Sequence, residues 1–228
     1  MENKIINLRM VSEVASALHE LNEKMVFVGG AVISVYTDDP AADEIRPTSD
    51  IDMTIKLATY TDWVNLNKRL LELKFAPNPA GHALCSFLYN QMEIDIMPSE
   101  TGALGDSNRW YKPGFESLQK IEVHGQIIHV LSAPYFIATK LEAFHSRGTD
   151  YRTSHDFEDI IYIIDNRTTI VKEVSDADDA VKKYLKDEFV KILSNENFPE
   201  IISVHVHPLM REERMSLIIE KLQKCALS

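Results

Sequence analysis

Two aspartates, Asp50 and Asp52, lie at the start of the stretch DIDMTIKL, whose alternation of apolar and polar residues predicts a β-strand. Residues two apart on a strand share a face, so both carboxylates can reach one site. Further on, QMEIDIMP predicts a second strand, on which Glu93 and Asp95 share a face. Asp95 lies between two isoleucines, where an unpaired charge would be costly.

Like charges on one face repel each other unless a positive group lies between them. Carboxylates from Asp50, Asp52 and Asp95 would form an oxygen-rich site of the kind that Mg²⁺ prefers. Two such ions, roughly 3.5–4 Å apart, can activate an attacking hydroxyl and stabilise a leaving pyrophosphate. Without a metal, Asp50 would cap a turn or a helix and Asp52 would form a surface salt bridge, and the spacing alone leaves this alternative open.

A glycine pair, Gly29 and Gly30, follows the apolar strand MVFV and precedes AVISVY, which we interpret as the start of a helix. Glycine lets the backbone approach a phosphate, and the first amides of a helix point at an anion. A tight turn would need the same two residues. Arg46, in the loop before the aspartates, could reach a phosphate or could neutralise the acidic residues of its own loop.

A predicted helix, SAPYFIATKLEAFHSR, places Lys140, Phe144 and Arg147 on one face, where two cations and a ring could bind a triphosphate and stack a base. On the alternative interpretation, the phenylalanine belongs to the core and both cations are solvated. In the next predicted helix, HDFEDIIYII, Asp156 and Asp159 share an edge. These two aspartates could face the cleft, or they could pair with Lys140 or Arg147 and hold the two helices together. The second role is at least as well supported as a role in catalysis.

The remaining elements predict the fold class α/β (α+β): a mixed sheet with flanking helices, followed by a C-terminal helical subdomain. We expect an α/β domain over residues 1–130 and the helical subdomain over 131–228. Thr59 or Thr61 should cap a helix, and strand pairs, including ALCSFLYN with QMEIDIMP, should turn near Asn90 and at His124–Gly125.

Composition narrows the range of partners. The chain has 228 residues, 45% of them hydrophobic and 26% charged, which is typical of a globular protein. A formal charge of −11 argues against a general polyanion binder. Cys85 and Cys225 are expected to be reduced thiols in a cytoplasmic protein, and no apolar run predicts a membrane partner.

Taken in order, VGG, RPTSDIDMTIK and MEIDIM resemble the signature of the DNA polymerase β-like nucleotidyltransferase superfamily. The segment from SAPYFIATK to DIIYIID resembles the AbiEii/AbiGii toxin-like branch, and the whole resemblance spans roughly residues 24–165. Two positions depart from the pattern. His155 stands where the branch commonly has a basic residue, and Gly30 stands where many relatives have serine.

The resemblance implies a magnesium-dependent enzyme that moves a nucleoside monophosphate from a nucleoside triphosphate to an acceptor hydroxyl. It implies that Asp50 and Asp52 hold two Mg²⁺ ions, and that Asp95 completes the triad and draws the proton from the acceptor. From the resemblance and the residues together, the predicted nucleotide-binding residues are Gly29, Gly30, Arg46, Lys140, Arg147, Asp156 and Asp159.

The resemblance also implies a toxin or phage-defence component, with an RNA end such as tRNA, a protein or an oligonucleotide as acceptor. A cognate antitoxin or another partner protein would accompany such a toxin. The negative charge favours a small acceptor instead, so an antibiotic-type small-molecule nucleotidyltransferase is the alternative. A non-catalytic nucleotide-binding module is a third interpretation.

Overall fold

The computed structural model describes residues 2–81, 84–102, 105–148 and 150–227. The chain divides into two compact units, one of Met1–Val35 with Glu44–Ser132 and one of Tyr36–Asp43 with Ala133–Ser228. The division of the chain into functional domains at residue 130 stays a prediction. Segment Tyr36–Asp43 belongs to the second unit, which no sequence pattern indicated.

The first unit contains a mixed seven-stranded sheet with strand order β3-β4-β5-β2-β1-β7-β6. The alternating sequence stretches form its strands, with β2 parallel to β5 and antiparallel to β1, which is itself parallel to β7. The strands are β1 (Met25–Val28), β2 (Asp50–Ile55), β3 (Ala76–Pro77), β4 (Ser86–Tyr89), β5 (Met92–Pro98), β6 (Gln119–Val123) and β7 (Gln126–Val130).

The two faces of β2 have opposite character. Ile51, Met53 and Ile55 are buried on one face, whereas Asp50 and Asp52 are only partly buried on the other. This alternation is the pattern of a strand with one face on the core, and it fixes the register, because a slip of one residue would bury the aspartates. The predicted strand and its polar face are confirmed.

Both predicted hairpin turns are confirmed, and their backbone explains the residues found there. Asn90 and Gln91 have φ of +47° and +70°, and His124 and Gly125 have φ of +47° and +81°. Two central residues with positive φ match the right-handed twist of the strands that they join. In the predicted strand ALCSFLYN, Ala83 lies outside the described residues, and the observed strand begins at Ser86.

The helical elements of this unit are α1 (Glu2–Leu18), a 3₁₀ helix (His19–Lys24), α2 (Tyr60–Glu72), α3 (Tyr111–Gly114) and a 3₁₀ helix (Phe115–Ser117). Thr59 caps α2 through a reciprocal capping box with Asp62, as predicted. The segment AVISVY, predicted as the start of an α-helix, forms a 3₁₀ helix over Gly30–Tyr36 instead. Its β-branched residues are stiff and favour α-helix weakly, so the segment adopts the tighter, shorter form.

The second unit is helical, as predicted. Its helices among the described residues are α4 (Ala133–Arg147), α5 (His155–Asn166), α6 (Ile170–Ser175), α7 (Asp179–Leu193), α8 (Phe198–Ser203) and α9 (Arg211–Leu227). No described helix is long and apolar enough to cross a membrane. Cys85 is half-buried, Cys225 is buried, and both are free cysteines.

Helix α9 holds the carboxyl end of α5. The buried ammonium of Lys221 donates to the backbone carbonyls of Ile164, Asp165 and Arg167, at 2.7–3.2 Å. A cation at this position satisfies carbonyls that lack a helical partner and offsets the negative end of the helix dipole. Burial lowers the pKa of Lys221 and raises the pKa of Asp165 to about 6. Residues 166–228, which carried no motif, thus stabilise the helical unit.

Candidate active site

The polar face of β2 and β5 brings the predicted acidic residues together in two rows. Asp52 is in register with Asp95, and Asp50 is in register with Glu93. Paired residues of neighbouring strands lie about 4.8 Å apart, so each row places two carboxylates side by side. The sequence predicted the shared faces, but the parallel register that aligns Asp52 with Asp95 is known only from the structure.

One carboxylate oxygen of Asp95 is buried. Its Oδ1 is inaccessible to solvent and forms no hydrogen bond with the residues that the structure describes. A buried carboxylate oxygen without a donor is costly unless a cation or a proton satisfies it. The negative charge of Asp95 is also felt nearby: burial, followed by this charge, raises the pKa of Cys85. Asp95 therefore offers a hard oxygen atom that a cation could satisfy, beside the carboxylate of Asp52.

Asp50 is engaged differently. Its Oδ1 accepts a hydrogen bond from the hydroxyl of Thr48, two residues earlier. Within the described residues, no group of three or more aspartate, glutamate, histidine or cysteine side chains is arranged to hold a metal ion. The three aspartates share a face, but their convergence on an ion stays a prediction.

The turn after β1 requires a glycine at position 29, because Asp52 of the acidic strand packs against it. Its φ is +72°, in the left-handed region, and a Cβ added to it would lie 2.0 Å from Oδ2 of Asp52. The Asp52 carboxylate is thus packed against the bare backbone of the turn after β1. No other residue type leaves room for this contact, because real Cβ atoms do not approach an oxygen so closely.

Gly30 has a different neighbour. A Cβ at Gly30 would lie 2.8 Å from Nη2 of Arg46, which is the end of a flexible side chain. The Arg46 guanidinium therefore lies against the glycine turn, as a residue that reaches a phosphate there would. Because Gly30 opens a 3₁₀ helix of only seven residues, the predicted contribution of an α-helix N-terminus at this turn was wrong.

In the second unit, the predicted charged residues of α4 and α5 form a buried ion cluster. Nζ of Lys140 lies 2.7 Å from Oδ2 of Asp159 and 3.3 Å from Oδ1 of Asp156. Arg147 forms a close ion pair with Asp156. The side chains of Lys140 and both aspartates are more than nine-tenths buried. This is the pairing that holds two helices together, the alternative that the sequence had left open.

Phe144 is packed within the second unit. It is buried, and its ring lies 4.5 Å from that of Tyr151 and 6.0 Å from that of Phe157, between ring centroids. His205, from the HVHP segment between α8 and α9, lies at 5.5 Å from Phe157. These contacts favour the interpretation of Phe144 as a core residue over a role in stacking a base.

Sequence reasoning missed two groups near the acidic rows. Thr48 holds Asp50, and its signal was a hydroxyl residue two positions before an aspartate, a common local hydrogen-bonding pattern. Ser86 of β4 is in register with Asp95 on the side opposite Asp52. No local pattern marks Ser86, because only the strand order places it there.

The family model described as nucleotidyl transferase AbiEii toxin, type IV toxin–antitoxin system, matches residues 89–222, more than half of the chain. The chain belongs to the AbiEii family. It is therefore a nucleotidyltransferase enzyme, and the predicted resemblance to this branch is confirmed. The match also covers most of residues 166–228, which the resemblance had left out.

The AbiEii match includes Asp95, Lys140, Arg147, Asp156 and Asp159 but begins after the glycine turn and the Asp50–Asp52 strand. The crystal structure of an antigenic nucleotidyltransferase-like protein from Paracoccidioides brasiliensis is similar over 91% of this chain and 96% of that chain. Its TM-score is 0.53 at 16% sequence identity, which supports the predicted fold. No curated protein matches this chain.

We expect Gly29→Ala to lower nucleotidyl transfer at least about 100-fold, because the added Cβ displaces the Asp52 carboxylate and misplacement of a reacting group by about 1 Å can cost that much. Gly102→Ala is the control. A Cβ added at Gly102 meets no atom within 4 Å, so activity should stay within about tenfold of wild type. Equal activity of the two variants would contradict the close packing of Asp52 on Gly29.

Lys140→Ala should lower the free energy of unfolding by about 3–5 kcal/mol, because it leaves Asp156 and Asp159 buried without their shared cation. Arg147→Ala, whose side chain is 63% exposed, should cost about 1 kcal/mol or less. Urea unfolding of both variants measures the difference. A Lys140→Ala protein that unfolds like wild type but has lost activity would instead support the predicted contact between Lys140 and the nucleotide.

Proposed function

We propose that this AbiEii-family enzyme transfers a nucleoside monophosphate from a nucleoside triphosphate to an acceptor hydroxyl, releases pyrophosphate and depends on Mg²⁺. The observation that carries the proposal is the Asp52–Asp95 row, where two carboxylates are in register and one buried oxygen of Asp95 has no partner among the described residues. The glycine turn lies directly beside this row, since a Cβ on Gly29 would touch Asp52.

The carboxylate oxygens of the three aspartates are ligand atoms of the kind that binds magnesium. Asp52 and Asp95 provide carboxylate oxygens, which hard divalent cations prefer, and Asp50 adds a third on the same face once its carboxylate leaves Thr48. Magnesium bound there, as two ions in the full proposal, would neutralise the charge of the phosphates and of the leaving pyrophosphate. The repulsion between the carboxylates is thereby offset.

The other residues of the first unit position the reactants. The bare backbone at Gly29 and Gly30 lets the phosphates approach, and the Arg46 guanidinium lying against Gly30 supplies planar donors to phosphate oxygens. Asp95 is the proposed base for the proton of the acceptor hydroxyl, because its carboxylate lies beside Asp52 at the proposed phosphate site. Positioning and charge neutralisation account for most of the catalysis of phosphoryl transfer.

The proposed nucleotide-binding role of Lys140, Arg147, Asp156 and Asp159 has weaker support. Their charges already satisfy one another within the second unit, and a phosphate would have to compete with two carboxylates for Lys140. We propose that the cluster keeps α4 and α5 aligned, and that Arg147, with its mostly exposed side chain, is the member best placed to meet a phosphate.

Membership of a toxin family supports a macromolecular acceptor, such as the end of tRNA or another RNA, a protein or an oligonucleotide. It also supports a role in a toxin–antitoxin pair or in phage defence, with a cognate antitoxin. The formal charge of −11 favours a second candidate, a small-molecule acceptor, because a long polyanion is bound by clustered cations. A non-catalytic binding module has the weakest support, since a binding-only site does not need adjacent like charges.

Asp52→Asn and Asp95→Asn should each reduce pyrophosphate release by about 100- to 1000-fold, because several kcal/mol of charge stabilisation is lost. Release is measured from each nucleoside triphosphate, with and without total tRNA. Glu93→Gln is the matched control, since this exposed residue shares the acidic face but lies in the neighbouring row, and activity should stay within about tenfold. Full turnover of either aspartate variant would refute the assignment, and release that requires tRNA would identify an RNA acceptor.

A further inference from the structure

Segment Tyr36–Asp43, which we call the docking segment, belongs to the second unit, although the chain on both sides of it belongs to the first. Its first residue, Tyr36, is also the last residue of the 3₁₀ helix that begins at Gly30. Its last residue, Asp43, precedes Arg46 by three positions. Both ends of the docking segment therefore lead, within a few residues, to the glycine turn and the arginine of the proposed phosphate site.

The docking segment is held at the carboxyl end of α5 by two reciprocal caps. The backbone carbonyl of Asn166, the last residue of α5, accepts hydrogen bonds from the amides of Asp38 and Asp39, each at 3.1 Å. In turn, Nη1 of Arg167 donates to the backbone carbonyl of Tyr36 at 2.9 Å. Both carbonyls lie at helix ends, where no intrahelical donor is available. The end of α5 and the end of the 3₁₀ helix thus stabilise each other.

Side chains from two further positions strengthen this docking. Thr168 donates to the carboxylate of Asp38 through its amide at 2.8 Å and through its hydroxyl at 2.9 Å. Arg214 of α9 donates to Oδ2 of Asp39 at 2.7 Å. The place of the docking segment in the second unit is therefore fixed by both backbone and side-chain bonds.

Tyr36 links the docking to the glycine turn. Its side chain is fully buried, and the centroid of its ring lies 4.3 Å from that of Phe136 in α4. The 3₁₀ helix from Gly30 to Tyr36 has only seven residues, and a helix of this length is not stable by itself. The geometry of this helix, and with it the backbone at Gly30, depends on how Tyr36 is held.

Arg167 is oriented for this task by a second partner. Its side chain is 14% exposed, and its Nε donates to both carboxylate oxygens of Glu173, at 2.8 and 2.9 Å. Because the guanidinium is planar and rigid, a carboxylate on one edge fixes the direction of the remaining donors. Here, one of them meets the carbonyl of Tyr36.

We infer that Arg167 is a positioning residue for catalysis: by holding Tyr36, it keeps the glycine turn in the geometry that receives the phosphates. This inference rests on the proposed function, because the phosphate site at Gly29 and Gly30 is part of that proposal. It assigns to the residues after α5 an effect on substrate binding in addition to their effect on stability.

Arg167→Met tests the inference, because methionine keeps an apolar stem but has no donor for the Tyr36 carbonyl. Calorimetry with Mg²⁺ measures the Kd of tripolyphosphate, which occupies only a phosphate site. This Kd should rise about tenfold or more, since misplacement by about 1 Å can cost up to about 100-fold. KM for the nucleoside triphosphate should rise by a similar factor, and the backbone amides of residues 31–36 should exchange their hydrogens faster.

Two further variants separate positioning from stability. Arg152→Met is the control, because the ion pairs of Arg152 join it to Asp150 and Glu200 instead of to the docking segment. It should leave the Kd and the exchange of residues 31–36 unchanged. Arg167→Lys keeps one donor for the Tyr36 carbonyl and should recover most of the affinity. If Arg167→Met unfolds more easily but the folded protein binds tripolyphosphate like wild type, the inference is refuted.

Failure of the inference and failure of the proposed function give different results. Asp38→Ala, at an exposed position, is the second variant for the case in which Arg167→Met does not fold, and it should raise the Kd in the same direction. If these variants bind tripolyphosphate like wild type while Asp52→Asn is inactive, the proposed function stands and the positioning role is refuted. If the wild-type protein binds neither a nucleoside triphosphate nor tripolyphosphate, both proposals are overturned.

Discussion

The main constraint on the first unit is that its residues must hold Asp52 beside Asp95, although the two carboxylates repel each other. Two unit charges about 5 Å apart near a protein surface repel by about 3 kcal/mol, and Oδ1 of Asp95 is buried without a donor from the part of the chain that the structure describes. The surroundings maintain this arrangement, since the apolar face of β2 fixes the register and the missing side chain at Gly29 makes room for the Asp52 carboxylate. A site that stays costly without a ligand is well suited to bind a cation together with its phosphates.

The two units use the same residue types in opposite ways. In the second unit, Lys140 lies between Asp156 and Asp159, and Lys221 meets the carbonyls at the end of α5, so the charges are satisfied internally. In the first unit, Asp95 and His129 each keep a buried polar atom without a protein partner among the described residues. For the buried carboxylate oxygen of Asp95, a bound cation is one explanation of the missing partner.

Much of the fold could be predicted because alternation and turn residues are local signals. The strand of Asp50 and Asp52, the turns at Asn90 and His124, and the Thr59 cap were all expected from a few neighbouring residues. The alignment of Asp52 with Asp95 and the internal pairing of Lys140 could not be decided, because they depend on the order and register of distant elements. The 3₁₀ helix after the glycine pair was mistaken for an α-helix, since both share the same apolar spacing over one or two turns.

The most direct test of the central claim is the free energy of unfolding, measured by urea denaturation with and without Mg²⁺, for the wild type and for Asp95→Asn. We predict that magnesium stabilises the wild type, by about 2.7 kcal/mol at 100 times its Kd, because only the folded chain aligns the carboxylates. Without magnesium, Asp95→Asn should be more stable than the wild type, since the repulsion in the Asp52 row is relieved, and it should respond little to the ion. An unfolding curve of the wild type that is unchanged by magnesium would contradict the account.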